Sequence, residues 1–257
     1  MPLLKAYHRP TTIEAVLQLL SRPQVHTVLI AGGTYINARL EEPAAEVVDL
    51  QAAGLDTVHY ELGQLTLGAM ARLQTMVDDE KAPPLLRQMA HREGPNTLRY
   101  AATIGGVVVG GDWESELLAA LLVFEATVTA RSALGVQTIA LPDFLANPRA
   151  ALRGGLVTAI SLQTGGKTAS EQVARTPADR PIVAAVGRLT EAGQLRLALC
   201  GAASTPILVN PEQPLQDLRR ASPLNPPADF RGSSAYRRQM ALLLAGRVVE
   251  QLKAAKK

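Results

Sequence analysis

The pattern of apolar and polar positions opens on a helical face. Ile13, Val16, Leu17 and Leu20 recur at helical spacing behind Thr11-Thr12, whose hydroxyls suit a helix start, and the run stops at Ser21-Arg22-Pro23. Val28-Leu29-Ile30 and Val47-Val48-Asp49-Leu50 read as short buried strands, with a short helix over Ile36 to Leu40 stopped by Glu41-Glu42-Pro43. Val58 to Tyr60 and Gln64 to Leu67 predict a hairpin around Gly63. A helix is expected from Gly68 towards Val77 and another from Pro83 to His91. A turn at Pro95-Asn96-Thr97 then leads into an apolar strand over Leu98 to Ile104. Further on, Leu117 to Leu122 is helical, Phe124 to Ala130 alternates as a strand, and Leu141 to Leu145 makes a turn with a short helix. Leu156 to Leu162 is another strand. Ile182 to Leu189 and Leu195 to Gly201 form a hairpin across Glu191-Ala192-Gly193. A Pro-rich stretch from Pro206 to Pro227 yields to a final helix with Tyr236, Met240, Leu243, Leu244, Val248 and Leu252 on one side. The expectation is an α+β chain in three regions, 1–54, 55–164 and 165–257, without a solenoid repeat.

With 47% hydrophobic and 19% charged residues, the chain can bury a sizeable core. No apolar run approaches the roughly 20 residues that span a bilayer. Met1 to Lys5 leads into a polar stretch with His8, Arg9 and Pro10 rather than a signal sequence, so a soluble, cytoplasmic protein is expected. Cys200 is the single cysteine; it excludes an internal disulfide and a thiolate-held iron–sulfur cluster within this chain, and is expected as a buried small hydrophobe. The four histidines are scattered, so no metal site is expected. The net charge of +3 is spread among acids, and three Phe with one Trp give too few rings for base stacking; nucleic acid is not an expected partner. No Ser-His-Asp set or carboxylate pair points to hydrolysis.

The chemistry concentrates in Ala101 to Glu116, where Gly105-Gly106 and Gly110-Gly111 flank three valines and Asp112, Glu114 and Glu116 follow. Glycine lets backbone approach a ligand without a Cβ between, and a turn so built can aim several N–H groups at one anion. Alone, such a pair is a turn or a bulged strand. A second pair changes this: Ala31-Gly32-Gly33-Thr34 and Thr103-Ile104-Gly105-Gly106 each follow an apolar strand and carry a threonine hydroxyl. Together they could hold a diphosphate, each giving amide donors. Neither matches the dinucleotide G-x-G-x-x-G or the P-loop pattern.

These segments resemble a known family, the FAD-binding medium subunits of the xanthine dehydrogenase and carbon monoxide dehydrogenase group of molybdenum hydroxylases. Its glycine segments read approximately AGG-[TSH] and TIGG, as at Ala31–Thr34 and Thr103–Gly106. Leu67-Gly68-Ala69-Met70-Ala71-Arg72, Asn96-Thr97-Leu98-Arg99, Ala174-Arg175 with Asp179, and Arg231-Gly232-Ser233-Ser234-Ala235-Tyr236-Arg237-Arg238 resemble further family motifs in the right order. The resemblance implies a two-lobed FAD-binding fold of the vanillyl-alcohol-oxidase (PCMH) type, with lobes at 1–54 and 55–164 and a C-terminal α+β domain at 165–257. It implies FAD as cofactor, with Gly32, Gly33, Thr34, Gly105 and Gly106 holding the diphosphate and Ala31 and Tyr35 also among the cofactor-binding residues. Thr103 and Ile104 would shape the loop and approach the flavin, and Asp112 and Glu116 would lie toward the ribityl. The two acids equally suit a helix N-terminus, and Trp113 equally suits packing or a flavin contact. The implied partners are an iron–sulfur small subunit and a molybdopterin large subunit, with electrons passing through FAD to an external acceptor. The chain departs from the pattern at Tyr35, Val107, Trp113 and Ser170. The departures at Tyr35, Val107 and Ser170 motivate a second reading, an FAD-free structural or assembly subunit. A nucleotide-binding regulatory module is a third.

Overall fold

The computed structural model describes residues 4–35, 46–176, 179–210 and 224–255. The helix expected over 36–40 lies outside them, as does much of the Pro-rich stretch. In chain order the elements begin with β1 (Ala6–His8), α1 (Ile13–Leu20), β2 (Thr27–Ile30), β3 (Glu46–Asp49), β4 (Val58–Glu61) and β5 (Gln64–Gly68). The helices α2 (Leu73–Asp78), α3 (Pro84–Arg92), α4 (Asn96–Arg99), α5 (Ile104–Gly110) and α6 (Glu116–Val123) follow. Then come β6 (Thr127–Ser132), β7 (Gly135–Ala140), α7 (Leu141–Ala146), α8 (Pro148–Leu152) and β8 (Leu156–Gln163). The chain closes with β9 (Lys167–Val173), β10 (Val183–Leu189), β11 (Leu195–Cys200), β12 (Ile207–Val209) and α9 (Ser234–Ala254). These group into two compact units, one of residues 1–76, 96–110 and 127–161, the other of 77–95, 111–126 and 162–257.

The first unit holds two sheets. In the smaller, β3 lies between β1 and β2 and pairs parallel with both. A central parallel strand is buried on both faces, and Val47 and Val48 are the apolar residues that allow it. Helix α1 is started by the Thr12 hydroxyl, which accepts from the Ala15 amide at 3.2 Å, and it buries Val16 against Val48, Leu50 and Leu55. The larger sheet has the order β4-β5-β8-β6-β7. Its hairpins β4/β5 and β6/β7 are antiparallel, as is β6 with β8. A register slip at Thr129/Ala130 is stitched by the Thr158 hydroxyl, which donates to the Thr129 carbonyl at 3.1 Å.

The second unit is built on an antiparallel sheet of order β12-β11-β10-β9. Helix α9 packs on β9 and β10, and α6 packs on β10 and β11. Both helices press on β10, so Val183 to Val186 is buried without a break and reads as a continuous apolar run. Every residue of α6 is buried as well. At Gly187 a Cβ would come within 2.5 Å of Val248 Cγ1 and 2.7 Å of Leu252 Cδ1, so β10 and α9 meet with no room for a methyl. Gly187→Ala should therefore cost about 1–3 kcal/mol by overpacking. It would be read as a lower urea midpoint at unchanged m-value.

Three expectations change. The predicted face of α9 is rotated: Arg237, Ala241, Leu244, Ala245, Val248 and Leu252 are buried, while Tyr236 and Leu243 are 37% and 41% exposed. The buried stripe begins with an arginine, which a count of apolar residues passes over. The helix expected from Gly68 begins only at Leu73, because Gln64–Gly68 is committed to the sheet. The strand expected over Leu98 to Ile104 is helical at both ends, as described next. Cys200 is fully buried, which pushes its thiol pKa well above the usual range. Among the described residues no helix is long and apolar enough to cross a membrane.

Candidate functional site

Strand β2 delivers Ala31-Gly32-Gly33-Thr34 at its C-terminal end, with Gly33 at φ +71°. Gly32 lies so close to another stretch of backbone that a Cβ there would sit 1.8 Å from the Ala101 carbonyl oxygen. Two residues beyond Gly33, Tyr35 lies against Gly110, where a Cβ would be 3.0 Å from the tyrosine ring. The first glycine segment thus meets the second at both ends, Gly32 on Ala101 and Tyr35 on Gly110. Between these contacts Thr34 is exposed, and among the described residues no hydrogen bond is made by the Gly32, Gly33 or Thr34 amides.

The second segment differs from the expected strand and loop. Thr103 bridges to Arg72, and Ile104 then opens α5, which places Gly105-Gly106 in a first helical turn. Its amides are already in use. Ile104 N–H donates to the Ala71 carbonyl and Gly105 N–H to the Ala69 carbonyl, each at 2.9 Å. Gly106 N–H donates to Thr103 Oγ1 at 3.1 Å, and Val107 N–H to the Thr103 carbonyl at 3.0 Å. The expectation that both segments supply donors is corrected: Thr103 and Ile104 are buried, and this segment offers a close-packed backbone wall. A run of valines and glycines reads as strand by propensity. Tertiary contact overrides it, because Gly105 must lie on Ala69, where a Cβ would be 2.7 Å from the carbonyl oxygen.

The neighbouring motifs hold this wall. The Arg72 guanidinium donates to the Tyr100 carbonyl. The buried Arg99 donates through Nε to Gln74 Oε1 at 2.9 Å, which fixes α4 just ahead of the wall.

Asp112 and Glu116, expected toward the ribityl, belong to the second unit and each holds an arginine. Asp112 Oδ2 accepts from Arg180 Nη1 at 2.6 Å, and Glu116 Oε1 from Arg92 Nη1 at 3.1 Å. Arg180 also donates to Glu93 at 2.5 Å. Burial works against its charge, but Glu93 and Asp112 hold its pKa above the ordinary value. The N-cap of α6 is Ser115, whose Oγ accepts from Leu118 N–H at 3.0 Å and donates to Glu93. Glu114 accepts from Arg237 at 3.0 Å and from Arg231. Trp113 packs under the Arg237 guanidinium, 4.6 Å from the ring centroid. The sequence assigns no role to Arg180, and none to Arg237 beyond its place in the C-terminal motif. For Arg237 a signal exists, since it lies four residues before Ala241 on the buried stripe.

Burial raises the Glu116 pKa against the pull of Arg92. A carboxyl with a raised folded-state pKa favours the fold when protonated, so its contribution fades as pH rises above the ordinary value near 4.5. Glu116→Gln should therefore keep stability within about 1 kcal/mol at pH 7, since Arg92 is part-exposed and can be solvated. It should also flatten the decline in stability above pH 4.5, measured by urea unfolding across pH.

Two motif stretches that the sequence shows far apart converge in the second unit. Arg175, Asp179 and Arg180 line a cavity of about 320 Å³ with Phe230 and Arg231. The Phe230 ring is 88% exposed, with the Arg231 guanidinium 5.9 Å from its centroid.

Comparison with known proteins is consistent along the chain. Residues 4–162 match the family described as FAD binding domain in molybdopterin dehydrogenase. The uncharacterized Escherichia coli (strain K12) protein YgfM is 30% identical over 244 residues, 92% of each chain. The carbon monoxide dehydrogenase medium chain of Afipia carboxidovorans is 27% identical, with 96% of each chain covered. The solved reconstituted CO dehydrogenase from Oligotropha carboxidovorans superposes with a TM-score of 0.82 at 26% identity, covering 99% of both chains. The mixed α/β fold is that of these medium subunits. The chain belongs to the FAD-binding medium subunits of the molybdenum hydroxylase family, and is a flavoprotein subunit of an oxidoreductase.

Proposed function

We propose that the Gly32, Gly33 and Thr34 amides hold the FAD diphosphate, with the backbone of Ala101 to Gly106 as the wall behind them. The observation that carries this is the pairing of two glycine segments at van der Waals limits, with the amides of one uncommitted and those of the other spent. The donor set fits the group: main-chain N–H donors aimed from a Gly-Gly turn suit a diphosphate, which carries charge and no shape that a side chain must read. Ala31 and Tyr35 flank the donors, Thr103 and Ile104 shape the wall, and Gly105 and Gly106 keep it close. When bound, FAD supplies the electron-accepting and electron-donating chemistry; the chain supplies binding, orientation and exclusion of water.

On this reading the chain is a two-lobed PCMH-type FAD-binding unit, lobes 1–54 and 55–164, followed by a C-terminal domain at 165–257. It relays electrons from an iron–sulfur small subunit, fed by a molybdopterin large subunit, to an external acceptor. Cys200 alone holds no cluster, so that wiring lies on partners. Denaturing the purified protein and weighing the released ligand should give FAD near one per chain. A chain that yields no flavin and takes up none when FAD is added would instead be the FAD-free assembly subunit, the reading that Tyr35, Val107 and Ser170 motivate.

A further inference from the structure

We propose that Arg72 is a further FAD-binding residue, whose guanidinium brings positive charge to the diphosphate beside the glycine turn. The inference rests on the FAD reading of the first glycine segment and deepens it. Backbone amides orient an anion through partial charges only, and hydrogen bonds from an ionised donor are roughly twice as strong. A cation beside Gly32, Gly33 and Thr34 would therefore add to what their amides supply, and the wall behind them carries one.

The position of Arg72 is set by backbone. It bridges to Thr103, with Leu73 N–H donating to the Ala102 carbonyl at 3.0 Å and Ile104 N–H to the Ala71 carbonyl at 2.9 Å. From there the guanidinium donates through Nη1 to the Tyr100 carbonyl. The next residue, Ala101, is the one that Gly32 meets, where a Cβ would be 1.8 Å from the carbonyl oxygen. Successive Cα atoms are about 3.8 Å apart, so the charge is anchored one peptide from the start of the turn. Arg72 is exposed, and among the described residues Tyr100 is the one partner of its side chain. A guanidinium donates from Nε and both Nη atoms, which leaves Nε and Nη2 to meet an oxygen. Arg99, also on the wall, is buried and directed at Gln74 and Asn96 instead. Holding the Tyr100 carbonyl needs a donor but no charge, and that separates the two roles by experiment.

The test titrates FAD into the full-length, flavin-stripped chain at low and high potassium chloride, alongside the melting temperature of the FAD-free protein. Arg72→Gln keeps a donor for the Tyr100 carbonyl and removes the charge. It should weaken FAD about tenfold at low salt and flatten the salt dependence that the wild type shows, while the FAD-free melting temperature holds. Arg72→Lys keeps the charge and should keep the salt dependence, with an affinity between the two. ADP and adenosine, used as competitors, locate the effect: Arg72→Gln should weaken ADP by the same factor as FAD and leave adenosine unchanged. Wild-type affinity and salt dependence in Arg72→Gln would overturn the assignment. So would equal losses for ADP and adenosine, or a fall in FAD-free melting temperature that accounts for the weaker binding, because Arg72 would then only hold the wall. Failure of the wild-type chain to take up FAD at either salt would overturn the flavin reading, and this assignment with it.

Discussion

Gly32→Ala should abolish FAD retention. A single methyl at this position would stand 1.8 Å from the Ala101 carbonyl oxygen and 2.5 Å from its carbon. The obstacle is backbone on both sides, so no side-chain rotation relieves it; one segment must leave the other. Displacements of this kind exceed the usual 1–3 kcal/mol of overpacking. They also break the geometry that aims the Gly33 and Thr34 amides. If each of two or three amide bonds to the diphosphate contributes about 1 kcal/mol, losing the set weakens FAD by about 100-fold. The damage should be confined to the first unit, where the contact lies. Circular dichroism that stays near wild type, with flavin absorbance lost after desalting, is the expected pair of results. Gly33→Ala offers a companion, since a residue with a Cβ is strained at φ +71°.

The second large effect is expected at Arg237. This guanidinium is fully buried. It donates to Glu114 at 3.0 Å, to Asp229 at 2.8 Å and to the Ile182 carbonyl. Its Nε has no hydrogen-bond partner, and the guanidinium carbon lies 4.6 Å from the Trp113 ring centroid. Arg237→Met keeps much of the volume and removes the charge, leaving Glu114 and Asp229 to share Arg231. Breaking a buried pair from one side costs about 3–5 kcal/mol. The loss should be visible as a urea midpoint that falls at constant m-value.

The same variant should change the response to acid. Burial alone would raise the Asp229 pKa, but Arg237 and the Arg231 and Gly232 amides pull it down to about 2. A lowered folded-state pKa contributes stability that is present above the ordinary carboxylate value and is lost as pH falls through the folded one. Wild-type stability should therefore decline between the ordinary value of 3.8 and about 2. In Arg237→Met that part of the decline should shrink, because the largest downward pull on Asp229 is gone. An unchanged acid profile would mean that the two amides alone set the Asp229 pKa.

Much of this architecture can be read from the chain, and what escapes follows a pattern. Strands at the centre of a sheet, such as β3, β10 and β11, bury apolar stretches (Val47-Val48, 183–186 and 197–200) and are predicted in place. The four unread strands, β1, β7, β9 and β12, are all at sheet edges. Edge strands bury less, so the periodic signal fades: Val136 of β7 faces solvent, and Lys167–Val173 of β9 holds no fully buried residue. The period of helix α9 is legible but its face is not, because Arg237 takes a core position and Tyr236 does not.

The candidate site shows the same division. The sequence marks the glycine segments Ala31–Thr34 and Thr103–Gly106 through the family motifs they match, not through Gly-Gly pairing, which Thr164-Gly165-Gly166 shares. How their amides are used is not legible. Amide saturation depends on partners such as Ala69 and Ala71, more than thirty residues from Gly105. The arginine partners of Asp112 and Glu114 lie farther still along the chain, at Arg180, Arg231 and Arg237. Spacing rules see residues within a turn of helix or a strand pair, and these bonds are made by the sheet that brings distant segments together.

The most direct measurement is a crystal structure of the chain with FAD bound. The account predicts diphosphate oxygens at about 2.7–3.2 Å from the amide nitrogens of Gly32, Gly33 and Thr34, with Ala101 to Gly106 as the opposing wall. A diphosphate held elsewhere, with those three amides facing solvent, would contradict it.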